Sequence, residues 1–228
     1  MLSDAVGRFS STGPILDVGG GNGLVAMALL DAGFPTIVVE PGPAAAAICV
    51  RRKVPVIEAT LQDLDLENGS LDAVGMFDVL EHIEEDGATL AQIHALLRPG
   101  GHLYLTVPAY RWLWSPEDVD AGHYRRYTRA SLARVLREAG FEIQYQSYLF
   151  SALVAPLFIV RTLMGRLSAL KAGRARQSAS EHKLPDNFIG RLLGRSLSRE
   201  ARRISRGGTV KIGTSCFAVA RARTKGIK

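Results

Sequence analysis

The sequence predicts an α/β fold in which helices cover both faces of a doubly wound, mostly parallel sheet. Two observations carry that prediction. Over the first 150 residues short apolar runs alternate with helix-length segments, the pattern of strand, crossover helix and parallel strand. A glycine-rich turn, "GGGNG" at 19–23, joins the first of these runs to the first helix.

The elements follow in order. "PILDVG" (14–19), "TIVVE" (36–40), "VPVIEAT" (54–60), "LDAVGMFD" (71–78) and "GHLYLTVP" (101–108) are rich in β-branched and apolar residues, and read as strands one to five. Helices are expected near 23–32, 43–52 and 86–97. The last of them should stop at "RPGG", where Pro99 and two glycines turn the chain into strand five. Thr128 is placed to cap a helix over "RASLARVLREAG", which repeats Leu132, Val135, Leu136 and Ala139 on one face and ends at Gly140. "FEIQYQSYL" reads as a sixth strand. The rhythm then breaks: 151–177 and 186–205 read as two helices joined by a basic link, and "TSCFAVARA" (214–222) returns to strand character. If that strand joins the same sheet, 151–208 is an insertion within one domain spanning 1–228.

Composition bounds the function. With 47% hydrophobic and 22% charged residues the chain has the makings of a sizeable core. The start, "MLSDAVGRFSST", lacks a secretory signal, and Cys49 and Cys216 lie far apart in apolar surroundings, so a cytoplasmic protein with reduced thiols is expected. The net charge of +6 conceals an asymmetry. Residues 1–150 hold 11 Lys and Arg against 19 Asp and Glu, a net −8, whereas 151–228 hold 17 against 3, a net +14. Such a basic third suits anionic lipid, a phosphate-bearing ligand or nucleic acid, or is simply a solvated helical surface.

"ILDVGGGNG" places Asp17 at a strand end and Gly19, Gly20, Gly21 and Gly23 in the turn, where backbone can approach a ligand and a helix N-terminus offers free N–H groups. A dinucleotide fingerprint would want Gly or Ala at position 24, which is Leu24. The spacing D-x-G-x-G-x-G, with its acid, suits better a ligand carrying an ammonium and a carboxylate, namely S-adenosylmethionine. Glu40, ending the second strand, can accept ribose hydroxyls of either cofactor and does not discriminate. A purely structural turn is the bland alternative.

Taken together, "ILDVGGGNG", Glu40, "FDVLEHIEED", "LLRPGGHLYLTVPA", "LWSPEDVDAGHYRRYT" and "AGFEI" resemble the class I S-adenosylmethionine-dependent methyltransferases, in particular a bacterial subgroup with a GHYRRYT loop. The resemblance runs from about 14 to 150 and resumes at "GTSCFAVARA". It implies a Rossmann-like seven-stranded sheet whose final strand is antiparallel, with the two-helix insertion between the last two strands. It also implies that Gly19 and Gly21 lie against the methionine portion, that Asp17 orients the turn and the amino group, and that Glu40 holds the ribose. The position often acidic for the adenine amine falls on Thr60, with the Leu61 backbone, Gln62 or Asp63 as substitutes. Phe77 would offer its carbonyl to the ammonium and its ring to the cavity wall.

Methyl transfer rests on positioning the acceptor, excluding water and placing a proton. Asp78, Glu81 and His82 after strand four and Asp120 and His123 after strand five stand where such folds bind ligands, with Asp78, His82 and His123 the catalytic candidates. Glu81 and His82 could equally cap a helix or pair with each other. No [D/N]-P-P-[Y/F] motif, Pro-Cys nucleophile or Asp-Asn metal pair is present, so an oxygen acceptor and no metal are expected. In "DAGHYRRYT" (120–128), Arg125 and Arg126 could grip carboxylate or phosphate, and Tyr127 could orient the acceptor. The competing arrangement is an internal clamp, one Arg on Glu117, Asp118 or Asp120 and Tyr127 under the helix. The apolar run from Leu149 to Val160 is too short to span a membrane but suits an interfacial helix on anionic lipid. The expectation is a methyltransferase acting on a small, anionic or lipid-linked metabolite. A nucleic-acid methyltransferase using the basic third, which lacks interleaved aromatics, and a non-catalytic cofactor-binding subunit are the alternatives.

Overall fold

The computed structural model describes residues 2–9, 13–159 and 188–223. Its strands are β1 (Ile15–Val18), β2 (Thr36–Val39), β3 (Val56–Ile57), β4 (Leu71–Phe77), β5 (Leu97–Pro108), β6 (Phe141–Leu149) and β7 (Ser215–Ala222). They form one sheet in the order β3-β2-β1-β4-β5-β7-β6. Strands β1 to β5 pair in parallel, and β7 is antiparallel to both β5 and β6. This is the Rossmann-like arrangement expected, including the antiparallel strand.

The helices are α1 (Leu2–Gly7), α2 (Leu24–Asp31), α3 (Pro43–Arg51), α4 (Asp86–Leu96), α5 (Pro116–Asp120), α6 (Arg129–Glu138) and α7 (Phe188–Ser205). The period-two alternation of the central strands sorts their side chains between two layers. Leu16, Val74, Met76, Leu103 and Leu105 point to the face covered by Leu90 and Ile93 of α4 and Leu132 and Leu136 of α6. Ile15, Ala73, Tyr104, Phe217 and Val219 point to the other face, under Ala5 and Val6 of α1, Leu29 of α2 and Ile204 of α7. Helix α6 starts as expected: Thr128 Oγ1 accepts from the Ser131 amide at 3.1 Å. Leu132 and Leu136 are fully buried, each stabilising by roughly 1.5–3 kcal/mol relative to exposure.

Four features depart from the sequence expectation. Strand β5 begins at Leu97, before "RPGG", because Leu97 already pairs with Leu71 and the irregularity falls between Leu71 and Ala73. Strand β3 keeps only two residues, since it is an edge strand with a single neighbour. The acidic run 116–120 forms α5, opened by a Ser115–Asp118 capping box with Pro116 behind it. The N-terminal segment is core: Ala5 and Val6 are fully buried and the Tyr104 hydroxyl donates to the Phe9 carbonyl at 2.7 Å.

Between β6 and β7, Ser151–Leu153 form a single 3-10 turn and 154–159 are helical; the rest of the expected first helix lies outside the described residues. Helix α7 matches the expected second helix. Its buried Glu200 accepts from the amides of Phe150 and Ser151 and from the Ser151 hydroxyl, pinning the exit of β6. Because β7 runs opposite to β5, the segments after β5, after β6 and before β7 gather on the edge where β1 and β4 also end.

Candidate active site

At the end of β1, Asp17 is fully buried, and neither carboxyl oxygen has a hydrogen-bond partner among the described residues. Burial, and secondarily the neighbouring Glu40, push its pKa up to about 7. The turn that follows depends on left-handed backbone. Gly21 has φ +56° with open space where a Cβ would stand, so conformation rather than crowding demands glycine there. At Gly20 a Cβ would lie 2.7 Å from Asp17 Oδ2, which shows how closely the turn wraps the acid. Glu40 Oε2 accepts from the Gly21 amide at 2.9 Å, and Oε1 from the Gly42 amide at 2.8 Å. One carboxylate thus ties the glycine turn to the start of α3, with lone pairs left for further donors.

Around this turn the remaining predicted cofactor contacts have differing surroundings. Thr60 caps a 3-10 turn: its amide and hydroxyl both donate to Asp63 Oδ2, at 2.8 and 2.6 Å, so Asp63 is engaged in the cap. Leu61 is buried in the core. Phe77 ends β4 as expected, and its side chain belongs to the core layer of Ala73 and Tyr104, because an odd position of β4 points to that face. Its backbone carbonyl remains at the strand end. Gly19, φ +69°, sits against Val79.

The other half of the cleft is built from the turns after β4 and β5. Asp78, at φ +55°, is a non-glycine residue in the left-handed region, a strain that surrounding structure must hold. Its amide donates to the Thr106 carbonyl at 3.0 Å. Withdrawal of solvent raises its carboxyl pKa, offset by a hydrogen bond from Thr106 and by His123 and His82. Glu81 is buried, and its Oε2 has no partner among the described residues. Burial first, then Asp78, push its pKa up to about 8. His82 is exposed, yet partial loss of solvent around its ring, and then the nearby His123, lower its pKa, against the raising influence of the Ala121 carbonyl. The His82 and His123 rings meet edge to face at 4.5 Å. One ligating atom from each of Glu81, His82 and His123 lies within 4.8 Å of the others.

The GHYRRYT loop is fastened internally. Buried Asp118 receives Arg126 through Nε at 2.7 Å and Nη2 at 3.0 Å, and His123 Nδ1 at 2.8 Å. Burial pushes the Asp118 carboxyl up, but these hydrogen bonds outweigh it and leave its pKa below the ordinary value. Arg126 Nη1 also donates to the Ala109 carbonyl. Tyr127 is buried with its hydroxyl on Asp86 Oδ2 at 2.8 Å. Arg126 and Tyr127 therefore take the clamp arrangement rather than presenting free groups to an acceptor. Arg125 pairs with Asp86 at 3.0 Å and donates to the Glu84 carbonyl, yet its side chain remains 34% exposed. The Tyr124 amide donates to the Glu81 carbonyl at 2.8 Å, so the two turns are stitched together and Asp78, His82 and His123 share one rim.

Three of the hollows among the described residues lie on the side of the loops after β5 and β6 and of α7. Arg111, Trp114, Tyr124, Arg125 and the edge of Arg126 line a cavity of about 530 Å³. An apolar shelf of about 560 Å³ is formed by Trp112, Val154, Ala155, Phe158 and Ile212, with Ser151 at its edge. Ser151 also borders a groove of about 940 Å³ lined by Arg199, Arg202, Arg203, Arg206 and Lys211. Sequence reasoning missed Arg111, Asp86 and the Glu81–His82–His123 grouping. Arg111 stands within "YRWLW", beside aromatics that the sequence leaves as plain core formers; the grouping joins residues 41 positions apart and has no local signature.

The donor set fits S-adenosylmethionine: Asp17 is a buried acid lacking a cation, the Gly21 backbone opens on free space, and Glu40 keeps acceptor capacity for hydroxyls. Comparisons with known proteins agree. A family model described as "Methyltransferase domain" matches residues 2–146. A protein of Mycolicibacterium smegmatis named "Probable S-adenosylmethionine-dependent methyltransferase" is 29% identical over 136 residues, 57% of this chain and 52% of that one. An "Uncharacterized methyltransferase" of Mycobacterium avium is 31% identical over 147 residues, 62% of this chain and 58% of the relative. The chain thus matches little more than half the length of these curated relatives. Among solved structures, a SAM-dependent methyltransferase from Archaeoglobus fulgidus superposes with TM-score 0.59 at 15% identity, covering 96% of this chain and 92% of that one. Phosphoethanolamine N-methyltransferase 2 of Haemonchus contortus superposes with TM-score 0.58 at 18% identity, covering 98% and 52%; both agree in fold. With the family match spanning most of the sheet and the whole cofactor turn, the chain belongs to the methyltransferase-domain family, the class I S-adenosylmethionine-dependent proteins its motifs resemble.

Proposed function

We propose that this protein transfers the methyl group of S-adenosylmethionine to an oxygen of a small, anionic, lipid-linked acceptor. The observation that carries the reading is the pairing of a basic cavity, held by Arg111 and Arg125 between Trp114 and Tyr124, with the apolar shelf around Trp112 and Phe158. Arginine forks suit carboxylate or phosphate, and an exposed aromatic shelf suits a hydrocarbon tail. The groove on α7 adds four arginines and Lys211 on the far side of Ser151, a surface for anionic headgroups at a peripheral membrane contact.

The bound cofactor supplies an electrophilic methyl carbon on a positively charged sulfur. The chain's part is to hold the cofactor by its ammonium at Asp17 and its ribose hydroxyls at Glu40, to orient the acceptor through Arg111 and Arg125, and to keep water out. Asp78, held at the strand end facing His82 and His123, is the group that takes the acceptor hydroxyl proton; its raised pKa favours proton uptake. The O–C bond that the acceptor gains would be balanced by loss of the methyl–sulfur bond of the bound cofactor, the electron pair staying with sulfur.

The test is transfer of labelled methyl to a panel of phosphorylated and carboxylated polyprenyl compounds beside their neutral counterparts. Arg125→Gln should raise the acceptor KM about tenfold, the loss of one charged hydrogen bond, and leave S-adenosylhomocysteine affinity unchanged. Transfer that favours the neutral compounds, or equal loss of S-adenosylhomocysteine binding, would refute the anionic-acceptor reading. Sedimentation with anionic liposomes at low salt tests the membrane contact separately.

A further inference from the structure

We infer that Glu81, His82 and His123 form a binding site for a divalent first-row transition cation on the acceptor rim. Three ligands brought together from two separate turns lie with their donor atoms within 4.8 Å of one another. Bonds of about 2.0–2.2 Å to a single ion would place such atoms roughly 3.4 Å apart, so the donor atoms need to close by about 1.4 Å at most. Two imidazoles and one carboxylate suit zinc, iron(II), cobalt(II) or manganese(II) better than an all-oxygen magnesium cage.

Each ligand is prepared for the ion. His123 Nδ1 is held by Asp118 Oδ1 at 2.8 Å, so Nε2 is the nitrogen left to bind, the carboxylate–histidine arrangement that supports metal ligands. The Ala121 carbonyl beside the His82 ring favours a proton on the nitrogen that meets it, which leaves the other as a lone-pair donor. Glu81 Oε2 is buried with no hydrogen-bond partner among the described residues, a cost that a coordinated cation removes. Two turns are locked in register by the Tyr124 amide on the Glu81 carbonyl, so the pairing of His123 with the Glu81–His82 dipeptide is built in. The local charge also favours a cation: Glu81 faces the carboxylates of Asp78 and Asp118 against the guanidinium of Arg126, and Arg126 is bound to Asp118.

Three protein ligands leave coordination positions open, the pattern of catalytic sites, and exposed His82 puts them on the cleft side. The role of the ion rests on the oxygen-acceptor reading above: an acceptor hydroxyl on the ion loses its proton to Asp78 and attacks the methyl carbon, while the cation ends as it began. Binding of the ion does not depend on that reading and is tested without an acceptor.

The experiment is titration of the chelator-treated full chain with Co²⁺, followed by its visible absorption and by calorimetry. One equivalent should bind, with bands that report nitrogen and oxygen ligands. His82→Gln and His123→Gln should each weaken binding at least tenfold, and Asp118→Asn, acting through His123, about 10–100-fold. S-adenosylhomocysteine affinity, measured on every variant, certifies the fold. No Co²⁺ binding to wild-type protein that binds S-adenosylhomocysteine, or unchanged affinity in the folded His82→Gln and His123→Gln variants, overturns the site. If Co²⁺ binds but methyl transfer prefers neutral acceptors, the cation site stands and the anionic-acceptor reading falls.

Discussion

The two halves of the cleft are made in different ways. On the cofactor side, Asp17, the glycine turn and Glu40 occupy 24 consecutive positions, and their geometry comes from backbone: left-handed glycines, helix starts and one carboxylate binding two amides. On the acceptor side, the rim is assembled from residues after β4, β5 and β6 and before β7, joined by side chains: Asp118 with Arg126 and His123, Asp86 with Arg125 and Tyr127, Glu200 with the turn at Ser151. A backbone-built pocket is specified locally and serves one ligand. A rim stitched by side chains can change its acceptor while the sheet stays the same.

The comparison can be broken most severely at the glycine turn. Gly21→Arg forces a side chain into a left-handed position that opens on the cofactor cleft, so S-adenosylhomocysteine binding should be lost in calorimetry. The strain itself costs only about 1–2 kcal/mol, so the protein should remain folded by circular dichroism. If binding survives, the backbone does not form the cofactor pocket. On the other side, Asp118→Ala leaves Arg126 buried without its partner and should destabilise the chain by about 3–5 kcal/mol in urea unfolding. Cofactor affinity of the folded fraction should be unchanged, because Asp118 lies outside the glycine turn; a parallel loss would join the two halves into one unit.

A smaller effect sharpens the contrast through pH. Asp17 and Glu81 are acids whose folded pKa values, about 7 and about 8, stand above their ordinary ones. The folded free protein therefore keeps protons that the unfolded chain releases, and its stability should fall as pH rises from about 4 to about 8. Asp17 must ionise to receive an ammonium, so S-adenosylhomocysteine should bind up to about tenfold tighter at pH ~8 than at pH ~6. Asp17→Asn should flatten that dependence; a wild-type affinity independent of pH would mean that Asp17 does not receive the ammonium. The smallest expected change is at the outer groove: Arg203→Gln should weaken anionic liposome binding by about 1 kcal/mol without altering cofactor affinity, by sedimentation and calorimetry. Unchanged sedimentation would exclude this groove from the contact.

This division also governs what could be read in advance. Strand alternation, the capped α6 helix and the turn from Asp17 to Gly23 are short-range patterns, and they appear in the structure close to where the sequence places them. The start of β5 was hidden because Pro99, Gly100 and Gly101 have the chemistry of a turn, and only pairing of Leu97 with Leu71 makes them strand. The fate of each arginine in "HYRRYT" depended on Asp118 and Asp86, at different distances along the chain, so one guanidinium is enclosed and its neighbour half open. Glu81 and His82 read as a cap or a pair; His123, from another turn, makes them a cluster. Glu200, in a run of arginines, gave no sign that it would be buried against the start of the insertion.

Strand β7 lies between β5 and β6, and among the described residues it is the sole sheet partner of β6. During synthesis, then, β6 and the open side of β5 wait with unpaired backbone until residues 215–222 arrive. Two unprotected edges in one nascent chain are an invitation to pair with the wrong strand. The basic stretch emerging in the interval adds like-charge repulsion between chains while those edges are bare.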